Sequence, residues 1–530
     1  MKRYFSGLIL LALLTTSSGS ARPAPAPLPG GLKPGPFAVG FQVFNRYDRG
    51  RYLQPKTDFE GRANPGENAF PIQISVWYPA AGSPAGPSKP SLLFEEYLYL
   101  NEQKQTFRPL TDEEKNRAAE GLRALVRFGA GLELTDADLL AIRRTPTAAH
   151  REARPASGPF PVIVSGLDGG PASASVMYEY LASHGYVVLA TPGIGRTATL
   201  QASRPQLALH ERIDQLEYVL AFAHSLPTAD PTRLGVLGIN FDGMSGLLFQ
   251  MKNMQADAVV SLDGWEGKNA GSRTLRESPW YAPVNLRVPY LVVIQDEKDP
   301  RPDLLPNREV FDALVYSERY FLIIKEMNHA WLVGNLAVLP NLPADKRMAC
   351  HYLFAGILNF FQAHVKKDPA GLAYLKKTAP EKGFPAELLR FESWKAAFPA
   401  VPTPGEFETL VMAGEVEKAA RIYREAVRLN PSLELFDEQT MHLYAFRFSR
   451  QNRPETVLSL RRLAAEAFPK SVGAQENLGL AWQAVGRKAE ARACFEKAAR
   501  LVDADGGMDP SRKDRLRKAL ADRIIALDAP

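Results

Sequence analysis

The chain has 530 residues, of which 45% are hydrophobic, 23% charged and 10% aromatic, and its formal net charge is +6. Hydrophobic content this high excludes a disordered chain, and 42 Pro with 39 Gly is too little for a collagen-like or low-complexity protein. Two cysteines, Cys350 and Cys494, exclude a disulfide-built scaffold or a multi-cysteine metal site, and the basic excess is spread too thinly for a nucleic-acid surface: residues 401–530 hold 21 Lys+Arg against 19 Asp+Glu, and the rest 43 against 39.

The N-terminus, MKRYFSGLILLALLTTSSGSA, begins with Lys2 and Arg3, continues through an apolar run from Gly7 to Leu14, and ends in the small residues Gly19, Ser20 and Ala21. That layout predicts a signal peptide over 1–21 and export to a periplasm or the cell exterior. A Pro-rich linker, RPAPAPLPGGLKPGP, occupies 22–36. No later segment has the roughly 20 apolar residues that a membrane span needs, so no transmembrane segment is expected once the signal is removed.

From 37 to 400 short apolar, β-branched-rich runs alternate with amphipathic helical patterns. PIQISVWYPA (71–80), PFPVIVSG (159–166), GYVVLATP (185–192), LGVLGIN (234–240), AVVSLDGW (258–265), YLVVIQDE (290–297) and YFLIIKEMNH (320–329) read as buried strands. SASVMYEYLASHG, LHERIDQLEYVLAFAHSL and FDGMSGLLFQMKN read as helices between them. The expected class is α/β, a doubly wound, mostly parallel sheet covered on both faces. Residues 92–150 break the alternation with a charged, helix-forming segment, expected to be an inserted helical cap or lid.

Beyond the Pro-rich AAFPAVPTPGEF, strand signals vanish and Ala, Arg, Glu and Leu recur at helical spacing over 401–530. GEVEKAARIYREAVRLNPSL and GRKAEARACFEKAARLVDAD are similar to one another. Gly479, Trp482, Gly486, Ala491, Phe495 and Ala498 fall on the spacing of a tetratricopeptide repeat, as do Gly414, Ala419, Tyr423, Ala426 and Pro431. A weaker unit runs through Ala445, Asn452, Val457, Ala464 and Pro469. An all-α repeat domain is expected, closed by the helix SRKDRLRKALADRIIAL and able to present a concave face to a protein or peptide partner.

The chemistry-bearing segment is LGVLGINFDGMSG. A strand, a sharp turn and a helix that starts with small residues form the elbow of α/β-hydrolases, Gly-x-nucleophile-x-Gly. Here it reads Gly238-Ile239-Asn240-Phe241-Asp242-Gly243, with Asn240 where a serine belongs. The order PFPVIVSGLDGG, LASHGYVVLATP, LGVLGINFDG resembles the dienelactone-hydrolase and platelet-activating-factor-acetylhydrolase-like branch of that superfamily over about two-thirds of the chain. The resemblance implies Asn240 at the nucleophile position, Asp263 of SLDGW as the acid and His329 of EMNHAW as the base, with Asp299 as the alternative acid. It also implies an oxyanion turn at Gly166, Leu167 and Asp168, with Phe241 beside the pocket; Asp242, in the first turn of the following helix, reads as a helix-start residue favoured by the helix dipole, with a place in the pocket as the alternative.

A serine hydroxyl gives its proton to a histidine as it attacks a carbonyl. A carboxamide nitrogen is delocalised and very weakly acidic, so Asn240 is not a substitute. Asp168 would also bring negative charge towards a developing oxyanion. The expected function is therefore an exported hydrolase-fold protein that holds a small ester or lipid-like ligand, with little or no turnover. One alternative is an ester, lactone or lipid hydrolase using a displaced carboxylate or a His329-activated water. The other is a scaffold whose repeats bind the partner. Eight histidines show no metal-ligand spacing, and GLDGGP and GIGR match no phosphate or dinucleotide loop, so neither metal nor cofactor is expected.

Overall fold

The computed structural model describes residues 28–82, 90–167, 170–193, 203–296, 301–325, 327–332, 335–339 and 341–528. The expected signal peptide, Asp168 and Asp299 lie outside the described residues. The chain divides into two compact units, Met1–Lys395 and Ala396–Pro530.

The first unit is built on a sheet of eleven strands among the described residues. In chain order they are β1 (Ala38–Tyr52), β2 (Ala69–Ala80), β3 (Ser91–Leu93), β4 (Pro146–Arg151), β5 (Phe160–Leu167), β6 (Val187–Pro192), β7 (Ala229–Ile239), β8 (Ala258–Leu262), β9 (Tyr290–Ile294), β10 (Arg319–Ile324) and β11 (Leu389–Trp394). Their spatial order is β11-β10-β9-β8-β7-β5-β6-β2-β1-β4-β3. The six strands from β6 to β10 run parallel, whereas β1 with β2, β2 with β6, and β10 with β11 pair antiparallel. This mixed sheet, flanked by helices, is consistent with the α/β-hydrolase architecture expected from the sequence.

Side chains alternate between two cores. Ile163, Leu237, Val260, Val293 and Leu322 face one, while Val164, Val236, Val259, Val292 and Phe321 face the other. Burial on both faces explains why these strands read as unbroken apolar runs. The helices of the unit are α1 (Phe94–Gln103), α2 (Asp112–Ala130), α3 (Asp136–Arg143), α4 (Ser175–Ser183), α5 (Pro205–Ala223), α6 (Phe241–Asn253), α7 (Asn269–Arg276), α8 (Glu309–Ala313), α9 (His329–Leu332), α10 (Ala344–His364) and α11 (Pro369–Lys376). α4 and α10 pack on the first face, α5 and α6 on the second.

The insertion is helical only in part. α1 to α3 form its body, but its flanks are β3 and β4, and β4 joins β1 in parallel. Capping boxes at Thr111/Glu114 and Thr135/Asp138 start α2 and α3, and Gly131 at φ 66° ends α2. Glu179 on α4 fastens the insertion. It accepts from Tyr97 Oη at 2.8 Å and from the Ala148 backbone N–H at 3.0 Å, and burial pushes its carboxyl up to about 7 against those hydrogen bonds.

The second unit contains α12 (Pro404–Met412), α13 (Val416–Leu429), α14 (Glu438–Arg450), α15 (Pro454–Ala467), α16 (Val472–Ala484), α17 (Lys488–Ala504) and α18 (Pro510–Leu527). Gly414, Asn452 and Gly486 occupy equivalent turns between α12 and α13, α14 and α15, and α16 and α17, and all three have positive φ. Ala491, Phe495, Ala498 and Leu520 form one of its cores. A Cβ at Gly479 would overlap the Phe495 ring, which is how α16 and α17 approach so closely.

Candidate active site

Asn240 sits on the turn from β7 into α6 with φ 58° and ψ −124°, a strained conformation for a residue with a side chain. Its surroundings enforce the bend. A Cβ at Gly238 would collide with the Asp242 carbonyl, one at Gly166 with the Asp242 carboxyl, and one at Gly243 with the Ser261 hydroxyl and the Glu266 carboxyl. The bend is held by backbone bonds from Asn240 N–H to the Leu262 carbonyl at 3.0 Å and from Gly243 N–H to the Asn240 carbonyl at 3.0 Å.

The Asn240 carboxamide is oriented by Trp265, whose indole Nε1 donates to Asn240 Oδ1 at 2.8 Å. An indole N–H only donates, so the amide oxygen must face it and the NH2 turns the other way. The elbow therefore presents two N–H donors in place of a hydroxyl.

Ile239 and Leu262 are partners in the β7–β8 register, which puts Asp263 at the strand tip beside Asn240. Asp263 is 1% exposed, adopts φ 43°, and accepts from three groups. His329 Nδ1 lies 2.7 Å from Oδ2, Lys268 Nζ lies 3.1 Å from the same oxygen, and the Gln295 backbone N–H donates to Oδ1 at 3.2 Å. Burial pushes the carboxyl up, but the His329 hydrogen bond, the Lys268 and His329 charges and the Gln295 N–H outweigh it and hold it below its ordinary value. His329 opens the short helix α9, since β10 ends at Ile324 rather than running on to 329. Its ring is partly exposed, and its backbone N–H donates to Gln295 Oε1 at 3.1 Å. Gln295 thus orients both members of the pair.

The insertion reaches this site. Asn328 Nδ2 donates to the Gly129 carbonyl at 2.7 Å, and a Cβ at Gly129 would overlap Ala330. The C-terminal end of α2 therefore lies against the helix that carries His329.

Other residues singled out from the sequence lie elsewhere. Phe241 is fully buried, edge-on to Trp265 with ring centroids 6.0 Å apart. Asp242 is also fully buried, and its carboxylate is taken by Arg212: Nε to Oδ1 at 2.8 Å and Nη2 to Oδ2 at 3.0 Å. That pairing removes it from the role of displaced nucleophile. Gly166 packs on Asp242, and Leu167 ends β5.

Sequence reasoning missed Trp265, Glu266, Lys268 and Gln295. Three of them follow Asp263 within five residues, in DGWEGK, and a lysine so close to a candidate acid was the available signal. Glu266 is buried behind the elbow. Burial pushes its carboxyl up against hydrogen bonds from the Ser261 hydroxyl and Tyr290 Oη, the latter at 2.9 Å. Among the described residues no cluster of three or more His, Cys, Asp or Glu is arranged to hold a metal ion, and no helix is long and apolar enough to cross a membrane.

No family model matches the chain, and no curated protein matches it. Among solved structures it is similar to a ferulic acid esterase from Streptomyces cinnamoneus, at 18% identity and a TM-score of 0.44, over 67% of this chain and 96% of that one.

Proposed function

We propose that the protein is an exported, esterase-like hydrolase-fold protein whose elbow site binds a small carbonyl-bearing ligand, an ester or lipid-like molecule, instead of forming an acyl-enzyme with it. The observation that carries this reading is Asn240, with its oxygen engaged by Trp265 and its NH2 left to donate. An amide donor at the elbow suits a carbonyl oxygen, and it has no proton-transfer route to His329. Lys268 points the same way. In a hydrolase pair the carboxylate stabilises the imidazolium that forms during turnover, and here an ammonium on the same Asp263 oxygen cancels part of that field.

Water activation by His329 is the second reading. It has the 2.7 Å Asp263–His329 hydrogen bond in its favour and Lys268 against it. For the second unit we read tetratricopeptide-like repeats that dock a peptide or protein. The three equivalent positive-φ turns at Gly414, Asn452 and Gly486 support a repeated helical hairpin.

Hydrolysis of p-nitrophenyl acetate tests the reading. Wild type should not exceed a His329→Ala control, and Asn240→Ser should gain turnover that His329→Ala removes. If wild type already hydrolyses the ester and His329→Ala abolishes it, water activation is correct and the binding reading fails.

A further inference from the structure

A cavity of about 520 Å³ lies at the β11 edge of the first unit, enclosed by β10, β11, α11 and the turn through Pro380–Lys382. It is separate from the elbow. β11 is four strands from β7, roughly 19 Å at about 4.8 Å per strand. The volume falls within the ~300–1,000 Å³ range of small-molecule sites.

Two features of the lining define what would fit. Tyr320, Tyr352, Leu375 and Phe391 supply ring and aliphatic surface on one face of the sheet. The charged lining is mostly cationic, with Lys376, Lys377, Lys382 and Lys395. The carboxylates nearby are already engaged. Glu318 pairs with Lys395 and accepts from Tyr320 Oη at 2.8 Å, and Glu381 accepts from the Thr378 N–H at 2.7 Å and from its hydroxyl at 2.8 Å.

Lys382 is half-buried, whereas Lys376, Lys377 and Lys395 are exposed. Its Nζ donates to Tyr352 Oη at 3.2 Å and lies 4.9 to 5.3 Å from the ring centroids of Tyr352, Tyr374 and Phe391. Burial pushes its ammonium down to about 8. Ring faces and the Glu381 charge offset only part of the lost hydration of this half-buried cation, and an anion brought alongside would offset more. A phosphate would pair with the lysines but leave the ring and aliphatic walls uncovered. A carboxylate on a flat apolar body would meet both the rings and the ammonium.

We propose that this cavity is a second ligand site, for an aromatic carboxylate whose ring lies against Tyr320, Tyr352 and Phe391 and whose carboxylate pairs with Lys382. The site is independent of the elbow and of whatever the elbow binds.

Calorimetric titration of the full chain with 2-naphthoate, and in parallel with the uncharged 2-naphthalenemethanol, tests it. 2-Naphthoate should bind saturably and at least about tenfold more tightly than the alcohol, the scale expected for one desolvated charge pair. Lys382→Met should weaken 2-naphthoate by about tenfold or more, and Lys382→Arg should retain most of the affinity. Ala386→Trp, a substitution at the exposed mouth of the cavity, should block binding and serves in place of Lys382→Met should that variant not fold. His329→Ala should leave 2-naphthoate binding unchanged. Equal affinity for acid and alcohol, no saturation, or full affinity in both Lys382→Met and Ala386→Trp would overturn the proposal. Loss of binding in His329→Ala would also overturn it, by assigning the probe to the elbow.

Discussion

Arg212 and Asp242 form an ion pair in which both side chains are 0% exposed, directly beneath the residue that defines the site. Besides its two bonds to Asp242, Arg212 donates to the Pro192 carbonyl at 3.0 Å, the Thr191 carbonyl at 3.1 Å, and Gln215 Oε1. One guanidinium thereby joins the end of β6, the helix α5 and the first turn of α6. Arg212→Met leaves a buried carboxylate without its partner, a loss of about 3–5 kcal/mol. Exposing unsatisfied carbonyls adds to it, at about 1–3 kcal/mol for each one that finds no water. Asp242→Asn keeps the shape but leaves the cation uncompensated, which should cost about 2–4 kcal/mol. The double variant removes both charges, so its loss should fall short of the sum by about 2–3 kcal/mol. Urea unfolding followed by tryptophan fluorescence reads this well, because Trp77, Trp265, Trp280, Trp331 and Trp394 lie in the first unit and only Trp482 in the second. Single-variant losses below about 1 kcal/mol, or strict additivity, would mean that this pair does not fix the elbow.

Three further outcomes follow from the same structure. Glu179 has a folded-state value raised from 4.5 to about 7, so the stability attached to its protonated form is present at low pH and is lost as pH rises through about 7. Wild type should lose about 3 kcal/mol of this contribution between pH 4.5 and 7.5, and Glu179→Gln should flatten that slope in paired unfolding curves; parallel slopes would contradict the assignment. Burial pushes the Cys350 thiol up to about 12, and Cys494 is raised but only half-buried, so a disulfide reagent at neutral pH should modify Cys494 well before Cys350, with peptide mapping as the readout. In the Asn240→Ser background, Lys268→Met removes the ammonium from the Asp263 oxygen and should raise ester turnover by about tenfold; no change would show that Lys268 does not hold the pair back.

Much of this was legible in the chain. FDGMSGLLFQMKN marks the observed helix α6 residue for residue, because a two-sided buried sheet forces long apolar strands and leaves the elbow's glycines as clear punctuation. The Asp263–His329 contact was also legible, since Asp263 follows the tip of β8 and His329 follows β10 at the same end of the sheet. Strand β1 was not: its outer half, NRYDRGRY, is charged and partly exposed, so neither an apolar run nor clean alternation announces it. β3, β4 and β11 are short or at a sheet edge, where pairing rather than composition decides the structure. Gln295 was invisible as a site residue for another reason. Its role comes from hydrogen bonds between strand tips, and no local pattern encodes those. Asp242 could be read from sequence as a helix-start residue, but its partner Arg212 lies 30 residues away on a different helix.

The most direct test of the central claim is labelling of the folded protein with a fluorophosphonate, followed by mass spectrometry of the peptide that carries residue 240. Wild type should carry no adduct and Asn240→Ser a stoichiometric adduct at position 240, because the bend, Asp263 and His329 are already in place. An adduct on wild-type protein anywhere in residues 37–400, or a folded Asn240→Ser that stays unlabelled, would contradict it.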